Sequence, residues 1–149
     1  MPTKKPIHIL NKRASFEYQL LQKYTAGMML SGTEVKSIRA GNCSISEAYC
    51  FFKGDELWIK GMNIAVWKQG GIFNHEPLAL RKLLLKNAEL KKMKTRGDEK
   101  GFAIVPLKIF ESERGLLKIE IAIGQGKKSF DKREAIKERD VERSLRRGD

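Results

Sequence analysis

Two cysteines, two histidines and four prolines are all that this 149-residue chain carries of those three residue types. Each scarcity excludes something. Cys43 and Cys50 stand seven apart, which is neither a CxxC knuckle nor a disulfide framework. They read as small core residues of a protein kept in a reducing, cytoplasmic compartment. His8 and His75 lie far apart, so no metal site is expected. No Gly-rich loop leads into a Lys-Ser/Thr pair, so there is no P-loop. Gly124-Gln125-Gly126-Lys127-Lys128 has the right look for phosphate but reads as a strand exit with two solvated lysines. No nucleophile elbow occurs, and no histidine–carboxylate pairing of the kind catalysis needs is found. Glu34 next to Lys36 suits helix capping better than acid–base work. The expectation is therefore no catalytic residue, no metal and no cofactor.

Long apolar runs are missing too. Ile7-His8-Ile9-Leu10 is far too short for the core of a leader peptide, and nothing approaches a membrane span. Acid is the next shortage: 18 Asp+Glu face 30 Lys+Arg, a net charge of +12. Residues 1–13 hold Lys4, Lys5, Lys12 and Arg13 with no acid at all. Residues 79–100 carry eight Lys/Arg against three acids. Such an excess favours a polyanionic partner, nucleic acid first and an anionic membrane surface second.

What is present reads mostly as short strands. Phe16, Tyr18 and Leu20 alternate with Glu17 and Gln19, which predicts a half-buried strand, although Leu21 breaks the alternation and leaves a helix open. Residues 26–30 form a short apolar strand. Ser31-Gly32-Thr33-Glu34 has capping-box spacing and predicts a one- or two-turn helix with Val35 and Ile38 inward, Lys36 and Arg39 outward, and Gly41 as its stop. Ser44-Ile45-Ser46-Glu47 repeats that spacing and suggests another short turn of helix. Residues 49–53 and 56–60 flank Gly54-Asp55, a hairpin signal of type II′. Residues 62–67 predict a further strand, and Gly70-Gly71 marks a loop. Pro77 at a first helical position, with Leu80, Leu84 and Ala88 at i, i+4, i+8, predicts a helix from 77 to about 94. Residues 102–110 and 116–123 are the two strongest strands. Pro106 takes one donor out of its ladder, so that strand should be an edge or carry a bulge.

The count is about six strands and two or three helices, with local strand order. This predicts a mainly β (α+β) domain over residues 1–126, an OB-like antiparallel barrel with peripheral helices. Residues 127–149 form a separate charged tail whose only sizeable apolar residues beyond Phe130 are Ile136, Val141 and Leu145. It cannot bury enough surface to offset its ordering entropy, so disorder in isolation is expected. Read as a helix, it would carry Glu134, Glu138 and Glu142 on one stripe and Lys132, Arg139, Arg143 and Arg146 on another. For function, the basic stretches at the N-terminus, at Lys36 and Arg39, at Arg81-Lys82 and on the tail suit phosphates. Tyr18, Phe51, Phe73 and Trp67 are candidate stacking faces for unpaired bases, if they are not simply core.

Several short motifs occur together and in order. They are Asn11-Lys12-Arg13-Ala14, Ala26-Gly27, Gly32-Thr33-Glu34-Val35-Lys36-Ser37-Ile38-Arg39-Ala40-Gly41, and Phe73-Asn74-His75-Glu76-Pro77. Arg81-Lys82-Leu83-Leu84-Leu85, Val105-Pro106-Leu107 and Gly126-Lys127-Lys128 with Asp131-Lys132-Arg133-Glu134 follow. In these, over nearly its whole length, the chain resembles the small protein B family, the tmRNA-binding (SsrA-binding) proteins of bacterial trans-translation. The resemblance implies an OB-like barrel and a non-enzymatic, monomeric cytoplasmic factor that binds the tRNA-like domain of tmRNA. It implies entry into ribosomes stalled on messages without a stop codon, where tmRNA supplies alanine and a tag-encoding frame. The body would meet the elbow and D-loop side of the tRNA-like domain. The tail would fold as a helix in the vacant mRNA channel of the ribosome.

Residue by residue, the resemblance assigns RNA binding to Asn11, Lys12 and Arg13, to Glu34, Lys36 and Arg39, and to Arg81, Lys82 and Leu84 at the start of the expected helix. It assigns tagging on the ribosome to Lys127, Lys128, Asp131, Lys132 and Arg133. Phe16 stands where many members have a histidine, so no role of that histidine transfers. The tail stops at Arg146-Arg147-Gly148-Asp149, short of the distal segment of some relatives. From the residues alone, a general single-strand nucleic-acid-binding OB module remains the alternative.

Overall fold

The computed structural model describes residues 7–97 and 101–126. The predicted basic start at 1–6 and the whole tail at 127–149 lie outside them. Among the described residues, the strands are β1 (His8–Leu10), β2 (Tyr18–Met28), β3 (Cys43–Ser44), β4 (Tyr49–Lys53), β5 (Glu56–Lys60), β6 (Asn63–Ile64), β7 (Arg81–Leu84), β8 (Phe102–Glu111) and β9 (Leu117–Gly126). The helices are α1 (Ala14–Glu17), α2 (Gly32–Arg39) and α3 (Asn87–Gly97), with a 3-10 turn at Gly71–Phe73.

Six strands close on themselves in the order β8-β4-β5-β7-β2-β9, with β9 returning to β8. All these pairings are antiparallel. Closure removes the free edges that an open sheet leaves unpaired. The ring is strongest along β2, β9 and β8, where the ladders run from Tyr18↔Gly126 to Gly27↔Lys118 and from Phe102↔Gln125 to Glu111↔Leu117. It is thinnest where β4 meets β8, at the single pair Cys50↔Ile104. β1 adds to β8 outside the ring, and β3 with β6 makes a separate two-stranded sheet.

Alternation explains the core. Leu57 and Ile59 on β5, Leu83 on β7, Ile109 on β8, and Ile119 and Ile121 on β9 point inward and are almost fully buried. Met93 of α3 is also sealed and joins this core, while Gly97 lets the helix approach Ile104. The mainly β class, the ring of about six strands and the three flanking helices agree with the sequence. So does the hairpin at Gly54-Asp55: Gly54 has φ 64° and, among the described residues, no non-glycine residue has positive φ, which fits type II′. Pro106 sits at a register shift between Pro106 and Lys108, so the expected bulge is there, in a strand flanked on both sides.

Four expectations need correction. The helix over 77–94 does not exist as one element. Its first half is β7, and α3 begins only at Asn87. The Leu80, Leu84, Ala88 stripe is coincidental. Alternation governs instead: Arg81 and Leu83 are buried, whereas Lys82 is half-buried and Leu84 exposed. Arg81, Lys82 and Leu84 therefore lie on a strand, not at a helix start. Next, Phe16 belongs to the one-turn α1, and the strand begins at Tyr18 and runs unbroken through Ala26 to Met28. The break seen at Leu21 is a β-bulge between Leu20 and Gln22. Third, Ser44 to Glu47 forms no helical turn. β3 ends at Ser44, and a plain turn closed by Ala48 N–H to Ile45 O, 3.1 Å, leads to β4. Last, the strand expected over 62–67 shrinks to Asn63–Ile64.

Gly61 shows how tightly the turn after β5 is built. Its φ is 82°, and a Cβ there would lie 2.6 Å from the Glu47 carbonyl oxygen. Gly61→Ala should lower unfolding free energy by about 2–3 kcal/mol, combining a left-handed backbone with a steric clash. Gly41→Ala, at φ 81° with open space around it, should cost only about 1 kcal/mol. Urea melts of the two variants check the difference, and equal losses would contradict it.

Candidate nucleic-acid interface

α2 begins as its sequence predicts. Ser31 Oγ accepts from Glu34 N–H, and Glu34 Oε1 accepts from Ser31 N–H at 2.9 Å, a complete capping box. The helix turns Glu34, Ser37 and Ile38 inward and leaves Lys36 and Arg39 outside. Ser37 Oγ donates to Ala65 O at 2.6 Å, which pins the helix to the segment after β6. Arg39 reaches the β8–β9 turn, donating to Glu111 Oε1 at 3.0 Å and Gly115 O at 2.7 Å.

The other carboxylate oxygen of Glu34 receives the Nε–H of Arg81. Both side chains are buried, Arg81 with 2% of its side-chain surface exposed and Glu34 with 9%. Arg81 Nη1 donates to Met62 O at 2.6 Å and to Pro77 O at 3.0 Å, and Nη2 donates to Glu76 O at 3.0 Å. One guanidinium thus ties together α2, the end of the β5–β6 turn, the approach to β7 and β7 itself. Burial pushes the Glu34 carboxyl pKa up, but hydrogen bonds from Ser31 and Arg81 with the Arg81 charge outweigh it, and the net shift is below the ordinary 4.5.

Next to this closed cluster, β7 presents Lys82 and Leu84 outward. Lys82 pairs with Glu56 of β5, and Leu84 is 47% exposed. Across the sheet, Phe51, Trp58 and Lys82 stand in register on β4, β5 and β7. The segment before β7 is a scaffold of its own. Asn74 brackets Trp67, accepting from its N–H at 2.9 Å and donating to its carbonyl at 2.6 Å. His75 lies between Thr33 Oγ1 and Ile64 O, each at 2.9 Å. A carbonyl only accepts, so Nε2 carries the proton and Nδ1 accepts from the threonine hydroxyl. That histidine is a structural bridge. Among the described residues no cluster could hold a metal ion. Burial raises the Cys43 thiol pKa to about 12 and pushes that of Cys50 up as well, which keeps both thiols protonated and inert.

Asn11 is elsewhere. Its Nδ2 donates to Pro106 O and its backbone N–H to Leu107 O, both at 2.8 Å, so it staples the entry segment to the β8 bulge. Its Oδ1 has no partner among the described residues. Lys12 and Arg13 are exposed, and Arg13 pairs with Glu17 at 3.2 Å and also with Glu47. In the ring order β7 stands opposite β8, with two strands between them in either direction. The structure therefore brings Glu34 and Arg81 together and sets Lys82 and Leu84 beside them, but it places the Asn11 region across the ring. Lys127, Lys128, Asp131, Lys132 and Arg133 lie outside the described residues.

Of the predicted aromatics, Phe73 is 82% exposed, while Tyr18, Phe51 and Trp67 are half-buried. Sequence reasoning missed Trp58, and the register of the Gly54-Asp55 hairpin was the signal that could have found it. It also gave Arg81 to a phosphate-facing surface, where a buried pair with Glu34 stands instead.

These features define a class: a basic, mainly antiparallel β-ring with cationic and aromatic groups on its outer face. Comparison narrows it. The family model described as SmpB protein matches residues 8–148, and this chain belongs to that family. An SsrA-binding protein of Cytophaga hutchinsonii is 55% identical over 143 residues, covering 96% of this chain and 94% of the relative. One from Acholeplasma laidlawii is 51% identical, covering 89% of each chain. A solved structure described as "tmRNA-SmpB: a journey to the center of the bacterial ribosome" matches with TM-score 0.68 and 38% identity, covering 81% of this chain and 85% of that one.

Arg81→Met strands the Glu34 carboxylate, and the expected loss is about 3–5 kcal/mol of stability. The double variant with Glu34→Leu should recover much of it, as denaturant melts would register. In the unsubstituted protein, the Glu34 pKa is depressed, so its contribution is present above the unfolded value near 4.5 and is lost as pH falls through the lower folded value. Stability that rose on acidification through that window would contradict the assignment.

Proposed function

We propose that this chain binds tmRNA (SsrA RNA) through its tRNA-like domain and delivers it to stalled bacterial ribosomes for trans-translation. The observation that carries this is sequence identity to SsrA-binding proteins over nearly the full chain. The net charge of +12 supplies the polyanion affinity such a role needs. The chain acts as an adaptor and not an enzyme, works as a monomer in the cytoplasm and needs no cofactor.

The burial pattern supports a division of the assigned residues by task. Lys12, Arg13, Lys36, Lys82 and Leu84 are at least partly exposed and are proposed to touch RNA. Arg39 joins them at the rim of the β8–β9 turn. Glu34, Arg81 and Asn11 are buried and hydrogen-bonded, and they are proposed to act by holding α2, β7 and the β8 bulge in place. The tail residues Lys127, Lys128, Asp131, Lys132 and Arg133 are proposed to work on the ribosome, in the vacant mRNA channel. Residues 1–126 and 127–149 are thus proposed to carry separate tasks.

Competition tests the main reading. At about 150 mM salt, tmRNA should stay bound against an excess of random single-stranded RNA, since screening weakens contacts to phosphate alone. Equal displacement would point to a general single-strand binder. A chain ended after Gly126 should keep its tmRNA affinity and lose peptide tagging on stalled ribosomes in a reconstituted translation assay. Loss of tmRNA affinity on truncation would make the tail an RNA-binding arm instead.

A further inference from the structure

Beside β5 and β7 lies a cavity of about 300 Å³, lined in part by Glu34, Arg81 and Lys82. Trp58 and Lys82 line it from the sheet, Met29 follows from the end of β2, and Phe73 and Leu80 come from the segment before β7. Its apolar walls are unusually open: Phe73 is 82% exposed, Met29 57% and Leu80 46%. A solitary protein gains by covering such groups, so an exposed cluster of them marks a surface that meets something.

We propose that this cavity receives one unpaired nucleobase of tmRNA, resting on the reading that the chain binds that RNA. The charge around it selects the occupant. Lys82 stands directly across from Trp58 on the neighbouring strand, and Lys60 follows two residues after Trp58 on the same face. A flat ring next to an ammonium group matches a nucleotide, whose base stacks while its phosphate meets the cation. Phe51, in register on the other side of Trp58, extends the aromatic row for a neighbouring base. The Lys82–Glu56 pair is partly exposed, so an incoming phosphate can compete for the ammonium at little cost. Lys82 also sits one residue from buried Arg81, so the network that anchors β7 fixes where the cation stands. A greasy peptide would fill the same walls but has no use for the lysines.

The test uses fluorescence of the full chain. The sequence has two tryptophans, so Trp67→Phe leaves Trp58 as the sole emitter. Titration with a tmRNA transcript should quench Trp58 with the same midpoint as binding measured by filter retention. Phe73→Ala should weaken tmRNA binding about tenfold, the size of one lost base stack. Its melting temperature should not change, because Phe73 is mostly in solvent. Saturable tmRNA binding with unaltered Trp58 emission would overturn the proposal, as would Phe73→Ala with full affinity. If Phe73→Ala kept tmRNA but failed to engage ribosomes, the cavity would belong to a ribosomal partner and the proposal would be wrong. An unsubstituted protein that binds tmRNA no better than random RNA would instead overturn the functional reading itself.

Discussion

A single guanidinium, that of Arg81, organises the part of the molecule around α2 and β7. Removing a charge from water is expensive, and an ion pair inside a protein seldom repays the loss by attraction alone. Here the remaining donors are given backbone carbonyls at Met62, Glu76 and Pro77, so little of the charge's hydrogen-bonding capacity is wasted. The result is positional more than energetic. Three chain segments and a helix that share no ladder with one another are held in one arrangement. Lys82 and Leu84 inherit their outward direction from it, because a strand whose Arg81 and Leu83 point in must point its next neighbours out.

This also explains what could be read without the structure. The hairpin at Gly54-Asp55, the capping box at Ser31 and the bulge at Pro106 were legible because each is local chemistry: a turn residue, a cap, a missing donor. β7 was not. Its inward position holds an arginine, which a pattern of apolar and polar residues scores as surface, while outward Leu84 scores as core. With both signs reversed, the leucines fell by chance on a helical spacing. Only the partner, Glu34, 47 residues away, makes the buried arginine sensible. The same limit hid the functional geometry. Motif order named Asn11, Glu34 and Arg81 together, but only the ring order shows that the first lies across from the others.

That separation spreads the residues named by the motifs over more than one side of the body. The entry segment and α1 sit against β8. α2 reaches the β8–β9 turn through Arg39. β7 and β5 carry the aromatic and lysine row on the opposite side. A ligand gripping Lys12-Arg13 and Lys82 together would have to wrap around the body, which suits a folded RNA better than a short single strand.

Ring closure has a temporal side. β2 is paired along most of its length with β9, and its first residue meets Gly126. During synthesis, β2 therefore emerges long before the strand that will cover its edge. β8 and β9 arrive together as a hairpin of neighbouring strands and must insert as a unit between β4 and β2. Pairings so distant in sequence are slow to form, and the early part of the chain waits with an open edge. The bulges at Leu20 and Pro106 distort two of the longest strands, which makes them poor templates for pairing with another copy.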